Sequence, residues 1–236
     1  MSDYRQTTRP RPPSGCPVCG LVWSGPGPCF NRLCSRADRS FSVVFPIGIH
    51  EGDLRRAIVR YKYRAERRWA EVFARMVAAH LARHPTWFEE FDLILGVPAY
   101  LGPGARRSWD PVGQILIALE PLVGAEWRID RDAVIKRHET PAMPGLPWWR
   151  RQAVAAGPLR HALAVRDSTV TGARVLIFDD VMTEGSTLQE VAAKLLRAGA
   201  AEAAGLVLTR PPPPRSAGRS TLRASPGAGR VWSCRA

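Results

Sequence analysis

The chain has 236 residues, 45% of them hydrophobic, and a formal net charge of +13. That apolar content suits one α/β domain with additions and excludes global disorder. No apolar run approaches the ~18 residues that span a bilayer. The start, MSDYRQTTRPRPPSG, lacks the apolar core of a signal peptide, so a cytoplasmic protein without membrane insertion is expected.

The charge is unevenly placed. Residues 210–236 carry six Arg and no acid, residues 1–15 carry three Arg and one Asp, and +5 is left for residues 16–209. Both ends are Pro- and Arg-rich, so residues 1–15 read as a disordered arm and 210–236 as a disordered basic tail. Such a tail either holds polyanions loosely by counterion release or is simply solvated.

Residues 16–40 form a cysteine unit, with Cys16-x2-Cys19 and Cys29-x4-Cys34. Without a signal peptide, metal is a better reading than disulfides. Two close thiolate pairs can fill a zinc tetrahedron, and a full set of four leaves no open position, which marks a structural Zn2+ site. Unligated thiols are the alternative. Cys234, in the tail, reads as a free thiol.

Residues 41–209 alternate strand and helix patterns. Ser40–Ile49 reads as a strand, Asp53 to about Arg83 as helical, Phe91–Ala99 as a buried strand closed by Gly96 and Pro98. Asp110-Pro111 offers an N-cap and an N1 proline for a helix over Val112–Val123. Ala133–Lys136 and His161–Val165 are short strand candidates, and the Pro-rich, basic stretch RHETPAMPGLPWWRRQ between them reads as a long loop. Ala173–Asp180 is the most secure strand. Ser186–Ala198 is an amphipathic helix stopped by Gly199, and AAGLVLTR closes the folded part as a strand. The alternation predicts an α/β fold with a mainly parallel sheet and flanking helices, whose ligands sit at the carboxyl ends of strands.

At such an end stand Asp179 and Asp180, in VLIFDDVMTEGST. Thr183, Ser186 and Thr187 supply hydroxyls, Gly185 permits a sharp turn, and the following helix presents unpaired N–H groups and a positive dipole end. These suit a phosphate, while the acids suit sugar hydroxyls or Mg2+ beside it. A ribose with a 5-phosphate and a metal-bound pyrophosphate has all these parts. An acidic turn capping a helix is the plainer alternative.

This stretch resembles the phosphoribosyl pyrophosphate (PRPP) motif of type I phosphoribosyltransferases. Together with the four-Cys unit, the YKYR helix (Tyr61–Arg64) and the GVPA strand end, it makes residues 16–209 similar to the ComF family. The resemblance implies a type I phosphoribosyltransferase-like domain with an N-terminal zinc unit. It further implies PRPP at Asp179, Asp180, Thr183, Gly185, Ser186 and Thr187, with Arg106, Arg107, Lys136 and Arg137 on the pyrophosphate and the two acids central to any catalysis. Some family members are associated with DNA uptake, so single-stranded DNA or uptake proteins are the implied partners of a non-catalytic version.

Three departures stand out. Glu184 sits in the phosphate loop, where it must point away, pair with a cation, or spoil the site. Ser108-Trp109-Asp110-Pro111 stands where family members often have Gly-Phe-Asn-Gln, and Met143 and Val154 match positions that usually hold Gln and Asn. Two further segments remain open between nucleic-acid binding and ordinary packing. One is Arg55–Arg68, with seven basic residues and one acid; the other is Trp148-Trp149-Arg150-Arg151.

Overall fold

The computed structural model describes residues 15–22, 28–166 and 168–213. The N-terminal arm up to residue 14, the tail from residue 214 and Cys234 lie outside them.

The chain folds as β1 (Val44–Ile49), α1 (Gly52–Arg64), α2 (Trp69–Arg83), β2 (Leu93–Gly96), α3 (Pro111–Val123), β3 (Arg128–Asp130) and β4 (Val134–Lys136). Then come α4 (Trp148–Val154), β5 (Leu163–Val165), β6 (Arg174–Val181), α5 (Ser186–Arg197) and β7 (Glu202–Arg210). Five strands form one parallel sheet in the order β1-β7-β6-β2-β3. β4 and β5 make a separate antiparallel pair. The parallel sheet with flanking helices is the fold the alternating pattern implies.

Helices on both faces explain the unbroken apolar run of β6. Val175 and Ile177 enter one core with α5 and the cysteine unit. Leu176 and Phe178 enter the other with α1, α2 and α3. Pro46 is tolerated because β1 is an edge strand. Asp110 caps α3 as expected, its Oδ1 accepting from Val112 N at 3.0 Å.

Four features differ from the sequence reading. The helical pattern over Asp53–Arg83 is two helices, broken where Ala65 adopts φ +52° and where Glu66 accepts from Arg60 at 2.7 Å and Trp69 Nε1 at 3.2 Å. Val72 faces outward, 44% exposed. β3 places one apolar residue between two charged ones, so its composition does not mark a strand. The basic, Pro-rich stretch ends in a helix: α4 starts at Trp148 and continues through a π turn, Ala155–Leu159, that includes Pro158. Burial holds it there, with Ala155 and Leu159 in the core. Arg160 then grips Glu190 of α5 through two bonds of 2.7 and 3.1 Å.

Candidate functional site

β6 delivers Asp179 and Asp180 to the carboxyl edge of the sheet. A cleft of about 520 Å3 opens there. Its walls include both acids, Thr183, Gly185, Ser186 and Thr187 from the next loop and helix, His50 and Lys62, and Met143 and Arg151. The structure therefore brings together all six residues read from the β6–α5 motif.

The two acids are not equivalent. Asp180 is 3% exposed, and Lys62 Nζ bonds its carboxylate at 2.8 Å. Burial opposes the charge on Lys62, but Asp180 and Asp179 outweigh it and raise its pKa. Asp179 is half-buried and accepts from Asp180 N at 2.9 Å. Burial first, then the charge of Asp180, pushes its carboxyl up to about 8, against the pull of Lys62. Asp180 is thus engaged by Lys62, and Asp179 is the acid that presents its carboxyl to the cleft.

The hydroxyl loop is shaped by glycine. Gly185 has φ +95°, and a Cβ there would meet Met182 Cε at 2.5 Å. The loop leads into α5, whose first N–H groups lack intrahelical partners. That end of a twelve-residue helix suits an anion. Contacts from far away in the chain fix the loop. Asn31 Nδ2 donates to Glu184 O at 2.9 Å, and Gln152 Nε2 donates to Ser186 Oγ at 2.6 Å. Glu184, the departure in the motif, pairs with Arg151.

The basic candidates sit elsewhere. Arg106 bonds Glu139 at 2.9 Å and also donates to Thr140 O, and Lys136 reaches the same Glu139 at 3.3 Å. Burial lowers the pKa of Lys136 despite that partner. Arg107 lies over the Tyr63 ring at 5.2 Å, and Tyr63 lines the cleft. None of Arg106, Arg107, Lys136 and Arg137 is among the residues that line it. Of the two positions that depart near the base end, Met143 lines the cleft with its Sδ 3.8 Å from Thr187 Oγ1, and Val154 ends α4. α1 packs through Ala57, Ile58 and Tyr61, and the Tyr61 hydroxyl donates to Pro111 O at 2.7 Å. The amphipathic reading of that helix is the one observed. Trp148 and Trp149 are 42% and 55% exposed, with Arg32 over the Trp148 ring at 4.2 Å.

The four cysteines meet in space. Their sulfurs lie within 4.8 Å of one another, with Cys16–Cys34 and Cys19–Cys29 at 3.7 Å. A tetrahedron with Zn–S near 2.3 Å has edges of about 3.8 Å, so the cluster fits zinc. Val18 N and Asn31 N point at Cys16 and Cys29 sulfurs at 3.4 Å, as in a metal knuckle. Four such thiols cannot all ionise without a cation. Hydrogen bonds from Cys19 and Cys34 hold Cys16 far below the usual thiol range. Burial pushes Cys29 up to about 12, and the contact with Cys16 pushes Cys34 higher still.

Sequence reasoning missed Lys62, Asn31, Arg151 and Gln152 as parts of this site. Lys62 carried one signal, a lone lysine between two tyrosines in an arginine-rich helix. Arg151 stood in the Trp148-Trp149-Arg150-Arg151 segment singled out above, and Asn31 and Gln152 carried none.

No family model matches the chain. Among characterised proteins, the DNA utilization protein YhgH of Salmonella typhimurium is 26% identical over 189 residues, covering 79% of each chain. The protein of the same name from Escherichia coli K12 matches to the same extent. Among solved structures, a hypoxanthine phosphoribosyltransferase from Staphylococcus aureus aligns with a TM-score of 0.35 and 14% identity. It covers 61% of this chain and 64% of that one. The allosteric regulatory enzyme of purine biosynthesis aligns at 0.36 and 20%, covering 58% of this chain but a quarter (25%) of its own. The fold rests on the strand order above, not on these scores. The chain is a homologue of the proteins named DNA utilization protein YhgH, and its resemblance to the ComF family holds in the sheet, the β6–α5 motif and the four-cysteine cluster.

Proposed function

We propose that the cleft binds a phosphoribosyl compound, PRPP with Mg2+, and that it can transfer the phosphoribosyl group to a nitrogenous acceptor with release of pyrophosphate. One observation carries this reading: the acid pair and the hydroxyl loop on a helix start line a single cleft. A ribose between them would meet Asp179 at its hydroxyls. Its 5-phosphate would meet Thr183, Gly185, Ser186, Thr187 and the α5 N–H groups.

Mg2+ binds through oxygen, with phosphates and water supplying much of its shell. Asp179 is the carboxylate open to it, because Asp180 is taken by Lys62. When bound, the ion would neutralise charge on the departing pyrophosphate. Arg107 is the best placed of the basic candidates to do the same from the protein. Arg106 and Lys136 would first have to release Glu139. Lys136 and Arg137 could close over the ligand from β4 and the loop after it. The residues would act by positioning and charge stabilisation, with no covalent intermediate. For the cysteine unit, the matching proposal is structural Zn2+.

A second reading has its own support. The relatives are named for DNA utilization, and the Lys62–Asp180 pair removes half the charge of the acid pair. On that reading the chain is a non-catalytic accessory that binds single-stranded DNA or uptake machinery. The tail and the exposed Trp148 and Trp149 would be its contacts, and PRPP would be a mere ligand or none.

Calorimetry of PRPP with Mg2+ separates the two. Asp179→Asn is the informative variant, since it keeps an acceptor for Asp180 N and leaves the Lys62 pair intact. Binding in the wild type that Asp179→Asn weakens at least tenfold supports the first reading, and pyrophosphate release with an amine or base would then be assayed. No binding, together with DNA retention that survives Asp179→Asn and falls on removal of residues 214–236, supports the second.

A further inference from the structure

Two arginines of the segment that begins at α4 meet glutamates of the β6–α5 motif, and they do so differently. Arg160 takes Glu190 through two bonds. Arg151 takes Glu184 through one, Nη2 to Oε1. Arg151 Nε and Glu184 Oε2 are buried, with no hydrogen-bond partner among the described residues. A guanidinium fork is matched by two acceptors, and a buried donor without one is costly. Glu184 is therefore an incomplete partner.

Position says what could complete it. Arg151 lines the cleft beside Gly185, Ser186 and Thr187, whereas Glu184 is not among the lining residues. Its neighbour Gln152 already touches the loop at Ser186. The guanidinium thus stands at the hydroxyl end of the cleft, held from outside by a carboxylate.

Building on the phosphoribosyl reading, we propose that Arg151 is the cation of the phosphate end. The Nη donors that Glu184 leaves free bind the 5-phosphate, and Glu184 is a positioning residue that fixes the guanidinium for it. The carboxylate in the loop then serves the site instead of repelling its ligand. It also gives the phosphate end a charged contact supplied by a segment far from the motif.

The test is calorimetry of ribose 5-phosphate on the full, zinc-loaded chain. Arg151→Met should weaken binding by tenfold to a hundredfold, on the order of one lost charge-assisted contact. Arg151→Lys should recover part of it. Because Arg151→Met leaves Glu184 unpaired and can unsettle the fold, the deciding variant is Arg151→Met/Glu184→Gln, which removes both charges. It should stay weak, while Glu184→Gln alone, whose amide oxygen can still accept from Nη2, should bind within a few-fold of wild type. A double variant that binds like wild type would show that Arg151 only neutralises Glu184, and would overturn the proposal while the phosphoribosyl reading stood. A wild type that binds no ribose 5-phosphate would overturn both.

Discussion

The two ends of the cleft are built on different principles. The acid end belongs to the sheet: Asp179 and Asp180 continue a strand whose pairing with β7 runs on past them, and one lysine from α1 balances them. The hydroxyl end is a loop. Its shape depends on Asn31 from the cysteine unit, on Arg151 and Gln152 from α4, and on the positive φ of Gly185. One end is rigid because of its own backbone ladder, and the other is rigid only while distant segments stay in place. Ligand binding at the first should tolerate damage elsewhere. Binding at the second should not.

Metal removal should give the largest effect. Structural zinc contributes ~10 kcal/mol in small metal units. Cys16 and Cys19 are also buried in the same core as Leu33, Met182 and Leu188, beside the loop. Stripping the metal, or Cys16→Ser/Cys19→Ser, should expose amides of residues 182–188 to hydrogen exchange well before those of β6. Equal protection at both ends after metal loss would erase the contrast. Zinc content by atomic absorption shows whether the metal was there to lose.

The acid end should break through charge instead. Asp180→Asn leaves Lys62 buried without its partner, and removal of one member of a buried pair costs about 3–5 kcal/mol. Asp180→Asn/Lys62→Met should regain much of that in urea unfolding. If the single and double variants unfold alike, the pair contributes nothing and Lys62 is not the balancing charge. The loop amides should stay protected in both variants.

The same contrast sets how much could be read from the sequence. The β6–α5 motif is contiguous, so its strand, acids, glycine and helix were legible together, and all six residues line one cleft. The fold was legible because helices and strands alternate with clear periods. The supports were not. Asn31 reaches a carbonyl 153 positions away, and Gln152 reaches a hydroxyl 34 positions away. No local pattern encodes such pairs. α4 was obscured by composition: Pro144, Pro147 and Pro158 bracket it, yet Pro147 serves as its N-cap and Pro158 falls in a π turn. The pyrophosphate candidates show the converse, a partner that the sequence did not announce. Arg106 and Lys136 had the right chemistry in sequence, but Glu139 lies between them and takes both.

A smaller effect should come from outside the cleft and serves as its control. His80 packs against His84, Trp87 and Phe88 on the opposite core, and burial pushes its pKa down to about 4. The positive neighbours His84 and Arg83 add to the shift. The unfolded chain takes up this proton near pH 6.5 and the folded one only near 4. Folding stability should therefore fall as pH drops through that window, by on the order of 3 kcal/mol, and be unaffected above it. His80→Phe should remove that slope in urea titrations at pH 4.5 and 7 and leave ribose 5-phosphate binding at pH 7 unchanged. A slope that survives the substitution would place the acid-sensitive group elsewhere, with His50 of the cleft, whose pKa burial also lowers, the next to replace.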